Sequence, residues 1–187
     1  MRMRTPLIVG ALLAGVVTLT FSIIPGKSRL VIKSSEVHFP SVSGFNLDRK
    51  ELEFPRDFAG KLNIVFVAFQ QRHQTIINTG VPFAQDAELS YPGIIYYELP
   101  TIDEMSSMSR MFINEGMRAG IPDQTSRERT VTLYIKTADF MRATAISDKQ
   151  DVHILVVDRQ GHIIWRSTGE YTAEKGQTLL DAIEGRG

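Results

Sequence analysis

Two groups of side chains have the types and spacing to do chemistry. The first is Gln70, Gln71, Arg72, His73 and Gln74, which follows directly on the apolar run "NIVFVAF". An imidazole and a guanidinium at the start of a helix suit an anion or a carboxylate tail. The first turn of a helix leaves N–H groups free and carries the positive end of the dipole. Arg72 would supply the charge and His73 a pH-sensitive contact, since histidine titrates near neutrality. The plainer alternative is a solvated loop. The second group is Arg127 and Arg129 in "PDQTSRERT", Pro122 to Thr130. These arginines suit an acidic partner or lipid headgroups. Charges of mixed sign describe a solvated loop equally well.

Other chemistry is narrowed by composition. The chain has no cysteine, which removes disulfides, thiolate metal sites and thiol redox chemistry. His38, His73, His153 and His162 contain no pair at the close helical spacing of a zinc site, so surface or internally satisfied histidines are expected, with no metal and no cofactor. Lysine plus arginine equals aspartate plus glutamate at 21 each, which argues against a general nucleic-acid binder. Met105, Met108, Met111 and Met117 crowd one segment. Such residues serve adaptable partner surfaces or core. Met105, Met108 and Phe112 share helical spacing with Ile102, so the periodicity predicts core for them, with Met111 off the stripe. Trp165 reads as a packing residue.

These residues must be positioned by a fold. With 187 residues and 43% apolar content, one domain with a real core is expected. "VSGFNLDRKELEF" alternates around a turn and predicts a small hairpin. "KLNIVFVAFQ" reads as a strand buried on both faces. A helix should follow from about His73 to Leu89, bent at Pro82. "GIIYYEL" is a second strand. Thr101 with Glu104 gives a capping-box pattern for the next helix, which Gly120 would stop. "TVTLYI", a short helix at "TADFMRATAI", "DVHILVVD", a turn at Gln160–Gly161 with a further strand, and a final helix capped by Thr172 complete the order. Alternating strands and helices ending in a hairpin predict an α/β fold with a mixed central sheet flanked by helices.

The N-terminus has its own signature. After "MRMRT", the 19 residues Pro6–Ile24 carry no charge. As a helix they would span about 28 Å, roughly the hydrocarbon thickness of a bilayer. An uncleaved transmembrane anchor with its basic flank in the cytoplasm is the first reading. A cleaved signal peptide or a buried core helix are the alternatives. The expected organisation is an anchor or signal segment over residues 1–25, a linker over 26–41 and a domain over 42–187. The bulk of the chain would then be extracytoplasmic, on the periplasmic or cell-surface side.

The strand "NIVFVAF", the proline-bearing helix after it and the ending "VHILVVDRQGHIIWRSTGEYTAE" resemble the thioredoxin superfamily, in particular peroxiredoxin-like and thiol-disulfide reductase domains. In those families a catalytic cysteine stands just past the first core strand, where this chain has Arg72, His73 and Gln74. The proline they place before the fourth core strand is also missing, and "KQDVHIL" stands there. Asp158, Gly161, Ile163, Trp165 and Gly169 match the ending of the mitochondrial ATP synthase assembly factors with a thioredoxin-like domain. That resemblance implies a binding role near a membrane: an assembly factor, chaperone or adaptor with a protein partner and no cofactor. The competing expectation is an enzyme whose site was rebuilt at the same strand–helix junction from non-thiol residues.

Overall fold

The computed structural model describes residues 37–185, and the apolar run Pro6–Ile24 with its anchor assignment lies outside them. Among the described residues no helix is long and apolar enough to cross a membrane. The described chain forms a seven-stranded mixed sheet in the order β2-β1-β5-β4-β3-β6-β7. At its centre β3 (Leu62–Ala68) runs parallel to β4 (Ile94–Asp103) and antiparallel to β6 (His153–Asp158). Ile64, Phe66 and Ala68 face a core shared with α1 (His73–Ser90) and α5 (Ala173–Glu184). Val65 and Val67 face the opposite core, which holds Phe140 of α4 (Thr137–Thr144). Both faces of β3 are covered, which is why its sequence shows no polar alternation.

β5 (Val131–Ile135) extends the parallel part beyond β4, and β7 (Ile163–Thr168) pairs antiparallel with β6. The expected hairpin is β1 (Val42–Asn46) with β2 (Glu51–Phe54), joined to β5. Pro82 lies inside α1, which continues across it. Gly80 lets that helix press on β3, since a Cβ there would stand 2.9 Å from the Phe66 ring. Gly161 turns the β6–β7 hairpin at φ 90, a conformation that favours glycine.

Four expectations are corrected. The span 26–41 does not remain linker to its end. Phe39 donates its N–H to Gly161 O at 2.8 Å and is 1% exposed, with its ring against Phe54, Phe58 and Phe140. Thr101 does not cap a helix. Thr101–Asp103 pair with Leu133–Ile135, so β4 continues and α2 (Ser107–Gly120) starts later, capped by Ser106, which accepts from Ser109 N–H. The strand ladder satisfies backbone groups that the capping box would have used.

The stripe expected as core is not core: Met108 and Phe112 are 69% and 74% exposed and Met105 is half-buried, while Met111, off that stripe, is 58% exposed. The inward side of α2 is instead partly polar. Arg110 lies 5.1 Å over the Tyr134 ring, Tyr134 OH donates to Asn114 Oδ1 at 2.9 Å, and Arg118 donates to Leu47 O. Finally, the polar segment Pro122–Thr130 contains a short helix, α3 (Gln124–Arg129), capped by Asp123.

Replacing Phe39 with alanine should destabilise the protein by about 3–5 kcal/mol, the range for emptying a buried phenylalanine site. Urea unfolding of the two proteins measures it. A loss below about 1 kcal/mol would mean that the segment is only loosely docked.

Candidate functional site: the junction of β3 and α1

The chain leaves β3 at Ala68 and turns tightly into α1. Two backbone bonds close the turn, His73 N–H to Gln70 O at 3.0 Å and Gln74 N–H to Gln71 O at 3.1 Å. Two of the amides expected to await an acceptor are therefore already engaged. Arg72 occupies the cap position with a helical backbone and no side-chain cap.

His73 is fully buried. Its Nδ1 accepts from Phe69 N–H at 3.3 Å, and its Nε2 faces Gln150 O at 3.0 Å. Only the neutral tautomer with the proton on Nε2 satisfies both contacts. Burial pushes its pKa below the ordinary histidine value, and the nearby Arg72 charge pushes the same way, against the Gln150 carbonyl and Asp151. The expected exposed, pH-sensitive contact is thus an internal strut.

Of the other junction residues, Gln70 is half-buried, while Arg72 and Gln74 are exposed but hydrogen-bonded to neighbours. Gln70 donates to Lys149 O at 2.8 Å and accepts from Arg72 Nε at 2.7 Å. Arg72 donates to Gln150 Oε1 at 3.1 Å. Gln71 is exposed. Gln74 donates to Asn78 Oδ1 and to Glu98 Oε2, each at 3.0 Å. The segment before β6, where a proline would stand in the redox families, supplies the carbonyls of Lys149 and Gln150. Lys149 Nζ in turn meets Asp103 Oδ2 at 2.9 Å, and Thr137 Oγ1 donates to Asp103 Oδ1. These two partners hold the Asp103 carboxyl below its usual range, the threonine first.

Sequence reasoning missed Glu98. It is 5% exposed on β4, and burial raises its pKa although Gln74 donates to it. A single acidic residue inside the apolar run "IIYYEL" was the available signal. The backbone carbonyls of Lys149 and Gln150 carried no signal at all.

Arg127 and Arg129 lie apart from this junction and from each other's partners. Arg127 pairs with Asp48 at 3.2 Å and donates to Pro122 O at 2.8 Å. Arg129 pairs with Glu88 at 2.7 Å and lies 5.7 Å over the Tyr97 ring. Both fasten α3 to neighbouring elements and are not displayed as a loop patch. His38 and His162 do come together, with ring centroids 5.0 Å apart and His162 Nδ1 2.8 Å from Asp158 Oδ2. Among the described residues no three His, Cys, Asp or Glu side chains are grouped to hold a metal ion.

Comparison with protein-family models and with curated protein sequences gave no match. Solved structures do match. BsSco, a member of the Sco family of cytochrome c oxidase assembly proteins, is 8% identical, with a TM-score of 0.56 over 79% of this chain and 92% of its own. A putative electron transfer protein from Aquifex aeolicus VF5 is 12% identical, at TM-score 0.53 over 80% and 96%. An uncharacterized conserved protein from Geobacillus kaustophilus is 15% identical, at TM-score 0.51 over 79% and 81%. BsSco has a disulfide switch, which a chain without cysteine cannot form.

Acid and base should act on this site with opposite signs. His73 has its folded pKa below its unfolded value of about 6.5. Its contribution is therefore complete above that pH and is lost as pH falls through the folded pKa. Urea midpoints measured from about pH 8 to about pH 5 should fall on acidification, and His73→Gln should flatten that fall. Equal slopes would contradict the buried neutral imidazole. Glu98 has its folded pKa raised, so its ionisation weakens the fold as pH rises. Glu98→Gln should stabilise the protein at pH 7 and progressively less as pH falls; destabilisation at pH 7 would show that the carboxylate is compensated.

The chain has a thioredoxin-like fold and no cysteine, and the helix after its central strand opens on a buried histidine, His73.

Proposed function

We propose that the chain is a membrane-anchored, non-redox binding protein, an assembly factor, chaperone or adaptor for a membrane-associated protein. The observation that carries this reading is the closed junction. The place where a thioredoxin-like enzyme keeps its thiol is occupied by His73, with both ring nitrogens engaged. A rebuilt enzyme at this position would need a nucleophile and a base within reach of one another. Here the imidazole is spent on Phe69 N–H and Gln150 O. The anchor rests on the uncharged run Pro6–Ile24 behind two arginines. The same fold is put to assembly work in the family of BsSco, although fold alone does not carry function. Of the residues first considered for the partner, Gln71, Arg72 and Gln74 remain exposed. Gln70, His73, Arg127 and Arg129 serve mainly to hold the domain together.

Full-length protein should stay with membranes in alkaline carbonate, on their extracytoplasmic side. It should show neither insulin reduction nor peroxide turnover. Crosslinking in native membranes should capture a membrane protein whose assembled complex declines in cells lacking this chain. Redox activity above a boiled control, or unchanged assembly of the captured protein's complex, would overturn the proposal.

A further inference from the structure

We propose that residues 147–151 form an acid-released latch, which lifts from the junction of β3 and α1 when His73 takes up a proton. The segment joins α4 to β6 and lies outside helix and strand. Ile146 before it and Val152 after it are buried. Between them Ser147, Asp148, Gln150 and Asp151 are exposed, Lys149 is half-buried, and none of the five is apolar. The segment is held instead by side chains that reach its backbone. His153 Nε2 stands 2.9 Å from Asp148 O, Gln70 donates to Lys149 O at 2.8 Å, and His73 Nε2 stands 3.0 Å from Gln150 O. Three consecutive carbonyls are thus taken by two imidazoles and an amide. The remaining ties, Lys149 to Asp103 at 2.9 Å and Arg72 to Gln150 Oε1 at 3.1 Å, are at the surface, where such contacts contribute little. A segment fastened in this way can open by itself, because neither apolar core has to part.

Protonation breaks the hold at one atom. His73 Nδ1 accepts from Phe69 N–H at 3.3 Å. A proton on Nδ1 sets a donor against that donor, and flipping the ring does not help, since both nitrogens of an imidazolium donate while only one of the two partners accepts. The ring must turn out, and it takes its Nε2–H away from Gln150 O. The groups that face it do not compensate the charge inside the domain. Arg72 at the start of α1 adds a like charge, and His153 of β6 is a second imidazole. Asp151, which favours the proton, is exposed, and Asp148 and Lys149 belong to the segment and move with it. On β4, Asp103 is engaged by Lys149 and Thr137, and Glu98 by Gln74. Burial, which holds His73 below the ordinary histidine value, is relieved once the segment lifts and water reaches the ring. Closure of the junction is therefore conditional on pH. The inference rests on the geometry of the closed junction and not on the membrane or assembly role.

Amide hydrogen exchange of the full-length chain in detergent micelles tests the latch. A ring that is neutral when closed and titrates at about 6.5 when released multiplies the open population about tenfold between about pH 7.5 and about pH 5.5. Peptides covering Phe69 and residues 147–152 should therefore exchange about tenfold faster at the lower pH, once the intrinsic pH dependence of exchange is removed, while those within β3 and β4 keep their protection. His73→Gln supplies a neutral amide that can accept from Phe69 N–H and donate to Gln150 O, and it should abolish the difference. Equal loosening of segment and sheet would overturn the proposal, since acid would then act on the whole domain. Unchanged exchange of the segment would also overturn it. So would a pH dependence that persists in His73→Gln, which would assign the titration to Asp148 or Asp151. The first two results are read on the unaltered protein, so a variant that fails to fold leaves the test intact. None of them bears on the redox, membrane or assembly measurements, so failure here is distinct from failure of the proposed function.

Discussion

The structure turns on one side chain that two parts of the backbone share. His73 accepts from Phe69 N–H and faces the carbonyl of Gln150. Those groups belong to the exit of β3 and to the approach to β6, which are neighbours in the sheet. A buried backbone donor or acceptor without a partner costs about as much as a lost hydrogen bond. One imidazole satisfies both, and it does so only while neutral. Around it, Gln70 and Arg72 reach the same segment, so α1 begins where the sheet can hold it. In a thiol enzyme the start of this helix must stay open to substrate. Here it is sealed by the protein's own groups.

Sealing one site shifts attention to what the domain still presents. The helix α2 turns half-buried Ile113 and Met117 toward the domain beside polar contacts to Tyr134 and to Leu47 O, and it leaves Met108, Met111 and Phe112 in water. Methionine is flexible and polarizable, suited to surfaces that meet another protein. The same domain thus combines a closed junction of β3 and α1 with an exposed apolar patch on α2.

The sheet was legible in the sequence because burial on both faces leaves a plain mark. "NIVFVAF" and "VHILVVD" have no polar alternation, and the turn at Gly161 separates two strands that can only be antiparallel. The face of α2 was not legible. Periodicity shows that Met108 and Phe112 share a side, but not whether that side looks inward, and the polar residues opposite them found a ring to pack on. The start of α2 was misread for a related reason. Thr101 and Ser106 both offer capping oxygens, and only the pairing of β4 with β5 decides between them. His73 stood in a polar run and read as exposed. Its partners are backbone groups, one of them 77 residues away in sequence, and no side-chain pattern announces a carbonyl.

The central claim is that His73 is a neutral, buried strut closing the junction of β3 and α1, and nitrogen-detected NMR of the imidazole tests it most directly. The account predicts a proton fixed on Nε2, an unprotonated Nδ1, slow exchange with water, and no titration at or above the free-histidine value of about pH 6.5. A His73 ring that exchanges tautomers freely and titrates near that value would contradict it, because the junction would then be open to solvent.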